Sequence, residues 1–109
     1  MASPIKTDTL LDGVIGTGAG TAKEPLGLKR TFQLTGFTSA GAGACSVNVE
    51  VSNDGTNFIT LGNVGLTLGT SVTSDGFTSD APWRYVRGNV VSISGTDGEC
   101  TLTIGNEGA

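Results

Sequence analysis

Eight residues beginning at Cys45 set the terms for the whole chain. Cys45, Val47, Val49 and Val51 alternate with Ser46, Asn48, Glu50 and Ser52, the two-residue period of a strand with one buried and one wet face. Asn53-Asp54-Gly55-Thr56 then interrupts the run. Asn and Asp side chains bond their own backbone in turns and Gly accepts positive φ, so the chain reverses here. Thr56 to Leu61 resumes the apolar pattern as the returning strand. An isolated hairpin is only marginally stable, so the rest of the chain must supply the sheets that complete it.

The same pattern recurs in short pieces. Leu28 to Thr35 places Leu28, Phe32 and Leu34 in one phase, with Arg30 on that face near the strand's end. Gly36-Phe37 opens a loop that continues through the small residues 38–44. Val64, Leu66 and Leu68 alternate despite Gly62, Gly65 and Gly69, and Thr70 to Phe77 reads as a strand with a turn at Ser74-Asp75-Gly76. From Ala81 to Ile93 neither phase is clean. Trp83, Tyr85, Arg87, Val91 and Ile93 share one phase and Arg84, Val86 and Val90 the other, which a bulge near Gly88-Asn89 would reconcile. Pro82 belongs at the start of that strand or on an edge. Ser94 to Gly98 reads as a hairpin turn, and Cys100, Leu102 and Ile104 define a final strand. About seven strands with turn signals roughly every 8–12 residues point to an all-β fold, a small antiparallel β-sandwich or jelly-roll-like domain. The 18 glycines among 109 residues, spaced by Thr, Val and Ser, agree with many turns and short strands. One domain of this length buries roughly two-thirds of its unfolded surface.

Residues 1–27 show no sustained period. Leu10-Leu11 and Val14-Ile15 are their apolar pairs, set among Pro4, Asp12-Gly13, Gly16, Gly18, Gly20 and Pro25. The expectation is an extended N-terminal arm over 1–27 and a β-sandwich over 28–109. In the arm Leu10, Leu11, Val14 and Ile15 serve as anchors on a neighbouring subunit or partner, since such residues favour burial; a frayed terminus is the alternative. Gly16 to Lys23 superficially suggests a phosphate cradle, but Lys23 is followed by Glu24-Pro25 rather than by Ser or Thr and a helix.

Little in the chain suggests chemistry. Histidine is absent, removing the commonest general base and metal ligand. Cys45 and Cys100, far apart and without His, do not make a usual zinc site. Each lies on the apolar phase of its strand, which reads as a small reduced core residue, with a disulfide across neighbouring strands as the alternative. Asp54, Asp75 and Asp97 each precede Gly, the composition of turns, though loops of this kind also build calcium sites. No Gly-x-Ser-x-Gly elbow is present. A non-enzymatic protein without cofactor or metal is therefore expected. The net charge of −4 gives no reason to bind phosphate backbones, so no nucleic-acid partner is expected. No run of 18 apolar residues occurs, so no membrane span is expected. Met1 to Gly13 lacks the apolar stretch of a signal peptide, which favours assembly in the cytosol. Trp83, Arg84, Tyr85 and Arg87 form the aromatic-basic cluster. Its members either cap the core while the arginines pair with Glu50 or Asp80, anchor an interface, or stack on a sugar ring.

Three stretches carry a resemblance. Val49-Glu50-Val51-Ser52-Asn53-Asp54-Gly55-Thr56-Asn57-Phe58, Ala81-Pro82-Trp83-Arg84-Tyr85-Val86-Arg87 and Val91-Ser92-Ile93-Ser94-Gly95 resemble small virion structural proteins of tailed bacteriophages. In those proteins a Ser-Asn-Asp-Gly hairpin is followed by a Pro-x-Arg-Tyr-Val-Arg strand and a closing hairpin. The resemblance spans about residues 28–105. Phages use such modules in head decoration (cement) proteins, fibres and tail parts, and the short chain with an anchor-bearing segment is most similar to the decoration proteins. It implies a homo-oligomer, most often a trimer, on the outer capsid surface of the virion, bracing the major capsid protein after assembly in the host cytoplasm. The chain also resembles discoidin-type jelly rolls, which bind glycans or lipid headgroups. It departs from them in its length, in Pro82-Trp83-Arg84 where Ala-Arg is expected, and in lacking a paired first and last Cys.

Overall fold

The computed structural model describes residues 5–25 and 29–107. Eight strands follow in order: β1 (Ile5–Val14), β2 (Gly18–Ala19), β3 (Arg30–Phe37), β4 (Ala40–Ser52), β5 (Ile59–Leu68), β6 (Thr73–Ser79), β7 (Tyr85–Thr96) and β8 (Glu99–Glu107). They form two four-stranded antiparallel sheets, ordered β1-β8-β3-β6 and β2-β7-β4-β5. The pairs β1–β8, β2–β7, β3–β6 and β4–β5 are successive rungs of one long ribbon, and consecutive rungs lie on opposite sheets. Further pairing of β3 with β8 and of β4 with β7 closes the roll. This is the jelly-roll winding of a β-sandwich, and the Cys45–Leu61 hairpin is the tip of the ribbon.

The period-two strands behave as their alternation dictates. Cys45, Val47, Val49 and Val51 point inward, opposite Phe32, Leu34, Leu102 and Ile104 from the other sheet. Thr56–Leu61 and Val64–Leu68, expected as two strands, are one. Glu50 pairs with Thr60 and Val49 with Gly62, so Leu61 is a bulged residue that resets the phase. In β7 the inward positions are Val86, Gly88 and Val90. The expected bulge exists but lies at Val91, between the pairs Val47↔Val90 and Ser46↔Ser92. Ser74-Asp75-Gly76 is not a turn: it runs through the middle of β6, where Gly76 lies so close to the Phe32 carbonyl that no Cβ fits. Among the described residues β4–β5 is the one hairpin within a sheet. Ser94–Gly98, read as a hairpin, instead carries the chain from one sheet to the other.

The largest correction concerns the N-terminus. Residues 5–14 are not an arm separate from the sandwich; they are β1, paired with β8 from Ile5↔Glu107 to Val14↔Cys100. Leu10 and Leu11 are each 4% exposed, and both are core. A register shift between Thr9 and Leu11 turns two consecutive leucines inward, which is why no period showed in the sequence. Leu11 packs directly on the bare backbone of Gly88, where an added Cβ would stand 2.7 Å from its Cδ1. Cys45 and Cys100 are free and buried, on opposite sheets rather than on neighbouring strands. Leu28, expected to open the first long strand, lies outside the described residues.

Candidate interaction surfaces

The tip of the ribbon is stiffened by one carboxylate. Asp54 accepts hydrogen bonds from the Ser52 hydroxyl at 2.7 Å, the backbone N–H of Thr56 and Asn57 at 2.9 and 2.8 Å, and the Asn57 amide at 3.0 Å. The Asn57 side chain, then the backbone N–H groups and Ser52, hold its carboxyl far below the ordinary carboxylate range. Asp54 therefore works as turn chemistry. Among the described residues no cluster of three metal-ligating side chains occurs, and Asp75 lies within a strand.

Trp83, Arg84 and Tyr85 are brought against this tip. The Arg84 N–H donates to Asn53 Oδ1 at 3.3 Å, and the Tyr85 ring lies over Gly55. The Arg84 guanidinium stacks 5.0 Å from the Tyr85 centroid and reaches Glu24 at 3.4 Å. Trp83 packs on the core edge, and with Pro82 and Asn53 lines an open cavity of about 300 Å³. Arg30, noted in the sequence only as an arginine on an apolar phase, organises this end. It is buried, and donates to the carbonyls of Trp83 at 2.8 Å, Pro25 at 3.2 Å and Ala81 at 3.4 Å. Burial lowers the pKa of its guanidinium. Two connections, β2–β3 and β6–β7, thus converge on one cation that has no ion-pair partner among the described residues.

On the outer face of the β2-β7-β4-β5 sheet, Arg87 pairs with Glu50 at 2.8 Å, as one of the sequence readings expected, and lies 3.9 Å over the Phe58 ring. Asn89 donates to the same carboxylate at 2.9 Å. Asn63 bridges Ser46 and Asn48, each at 2.9 Å. This face is polar, charged and already bonded to itself.

The outer face of the β1-β8-β3-β6 sheet has the opposite character. Its central rows run Thr7–Gly105–Thr31–Thr78, Thr9–Thr103–Gln33–Gly76 and Thr101–Thr35–Ser74. None of these residues is charged or large and apolar. Local bonds such as Thr35 Oγ1 to Ser74 Oγ at 2.7 Å link neighbouring rungs. The sequence shows these residues only as the wet phase of separate strands; the pairing makes them one surface.

The four expected anchors separate. Leu10 and Leu11 belong to the core and are unavailable to a partner, Val14 is partly packed beneath them, and Ile15 stands 73% exposed. Ile15 shares a cavity with Ile93, Gly95 and Asp97 near the end of β7, whereas Tyr85 begins that strand, so the two groups of candidate residues lie at opposite ends of the sandwich.

No protein-family model matches the chain, and no curated protein matches it in sequence. Among solved structures it is similar to the PBSX exported protein XepA, with a TM-score of 0.58 and 13% identity over 95% of this chain. It spans 38% of XepA, well under half of that protein's length. The carbohydrate-binding module CBM4 aligns over 94% of this chain and 67% of its own at 13% identity, with a TM-score of 0.49. At such identities the XepA likeness establishes the two-sheet β-sandwich and nothing finer.

Proposed function

We propose that this chain is a non-enzymatic structural protein of a tailed-bacteriophage virion, a capsid decoration protein that binds the outer shell and stabilises the head. The observation that carries the proposal is the uncharged centre of the outer face of the β1-β8-β3-β6 sheet, rows of Thr, Ser, Gly and Gln33 with Glu99 only at one end of the β8 row. Interface cores are depleted of charge because charged groups are costly to desolvate, and a face of hydroxyls and glycines costs less to cover where its hydroxyls keep hydrogen-bond partners. The sequence resemblance to phage virion proteins and the fold likeness to XepA, a phage PBSX protein, support the phage setting.

The size of the face sets the mechanism. Four strands about 4.8 Å apart, each contributing about seven residues at ~3.3 Å, make about 400 Å². That is half of the roughly 800 Å² per partner of a standard interface. One copy alone would bind weakly, so the proposed attachment uses symmetric copies, three in the reading the resemblance favours, whose contacts with the major capsid protein act together. Binding only the mature lattice then shifts the shell away from disassembly by mass action. Trp83, Arg84 and Tyr85, held rigid against the ribbon tip, are the proposed contacts between copies. The anchoring role leaves Leu10 and Leu11 and passes to the outer face. A sugar-binding alternative gains nothing from the rings, because Arg84 covers Tyr85, Arg87 covers Phe58 and Trp83 packs on the core.

Co-sedimentation with mature shells stripped of this protein tests the proposal. Wild type should saturate the shells, and the double variant Thr31→Lys/Thr103→Lys, which charges the face without touching the core, should lose attachment while melting as wild type does. Equal attachment by the folded double variant would refute the role of the face.

A further inference from the structure

One margin of the sandwich is unfinished. β2 is only two residues long and pairs with β7 at Val90 and Asn89. Gly20 and Lys23 extend that cover back toward Gly88 and Val86. Beyond Val90, β7 runs on to Thr96 with β4 along one side and no strand along the other among the described residues. Such a margin presents unpaired N–H and C=O groups, which natural sheets usually shield with charge, proline or cover. Here the side chains beside it are apolar and open to solvent: Val91 is 51% exposed and Ile15 is 73% exposed. Ile15 and Ile93 line a cavity of about 310 Å³ together with Asp97 and Glu99. Asp97 accepts a hydrogen bond from the Ser39 hydroxyl at 2.9 Å. Neither carboxylate has an ion-pair partner among the described residues, and no lysine or arginine lines the cavity.

We propose that the Val91–Thr96 margin of β7 is a strand-addition site for an extended segment of another protein, one carrying an apolar side chain followed by lysine or arginine. The backbone of that segment completes the ladder that β2 leaves short, as in β-augmentation generally. Its apolar side chain enters between Ile15 and Ile93, and its cation meets Asp97 and Glu99. The three features select together: the open ladder demands an extended peptide, the isoleucines an apolar residue, and the acidic end a basic one. The β7 margin belongs to the sheet opposite to the proposed shell-facing one, Glu99 alone of the named residues coming from β8, and the test needs no capsid.

The probe is a fluorophore-labelled peptide of alternating threonine and valine ending in two lysines, titrated against the full chain by fluorescence polarisation. Saturable binding is expected. It should weaken at least about tenfold, equal to about 1.4 kcal/mol, in Val91→Lys, and also when the peptide's lysines are replaced by glutamate. Alternate N-methylation of the peptide backbone should abolish it. No saturable binding, or binding indifferent to N-methylation, would overturn the proposal. Self-association of the protein that Val91→Lys removes would assign the margin to a second copy and would overturn it as well.

Discussion

Replacing Leu11 with alanine tests directly whether the N-terminal segment is structural. Leu11 is 4% exposed and rests on the backbone of Gly88 and the side chain of Leu102. Leucine-to-alanine changes in cores cost about 2.7–5 kcal/mol, rising with the cavity that remains. The floor under Leu11 is the sheet backbone itself, with no side chain at Gly88 able to swing into the space, so little collapse is available. The expected cost is therefore in the upper part of that range, about 3–5 kcal/mol. With a urea slope of about 2 kcal/mol per molar, the unfolding midpoint should fall by about 1.5–2.5 M. An exposed arm residue would instead change stability by less than about 0.5 kcal/mol. Urea titration followed by tryptophan fluorescence, Trp83 being the single tryptophan, reads the difference. A midpoint within about 0.3 M of wild type would refute the placement of β1 in the core. Deleting residues 1–14 goes further. It removes both leucines and opens the β8 edge, a loss comparable to the whole stability of about 5–15 kcal/mol of a small domain, so the truncated chain should not fold.

Two further outcomes follow from titratable groups. Asp54 has a folded-state pKa depressed below its unfolded value, so its contribution is present above about pH 4 and is lost as pH falls toward the folded value. Asp54→Asn should be less stable than wild type at neutral pH, and the gap should close on acidification; a gap unchanged from neutral to strongly acid solution would refute the account of the tip. Burial raises the pKa of both thiols, with Cys100, next to Cys45, pushed up to about 12. Both should resist a thiol reagent at mildly alkaline pH in the native protein and both should react after denaturation without reductant. Rapid native labelling, or no free thiol on denaturation, would count against two reduced core cysteines.

What the sequence by itself determined was local. Alternation from Cys45 to Val51 and from Cys100 to Ile104 says which side of each strand is dry, because successive side chains of a strand point to opposite faces. Asn53-Asp54-Gly55 says where the ribbon turns, because the Asp54 side chain bonds the backbone just ahead of it. The tertiary structure alone decided partnership. Thr9 meets Thr103 and Leu11 meets Leu102 across nearly the full length of the chain, and no local pattern reports such a contact. For the same reason Leu10-Leu11 looked like an anchor: a bulge hides the period, and the Gly88 backbone they pack on is distant in sequence. Ser94–Gly98 has the residues of a hairpin turn, yet its two flanking strands find better partners in opposite sheets. Arg30 stood on an apolar face with nothing nearby to explain it until folding brought the carbonyls of Pro25, Ala81 and Trp83 around its guanidinium. Surfaces followed the same division, since the threonines of β1, β3, β6 and β8 become the uncharged centre of one face only when hydrogen bonds between strands set them side by side.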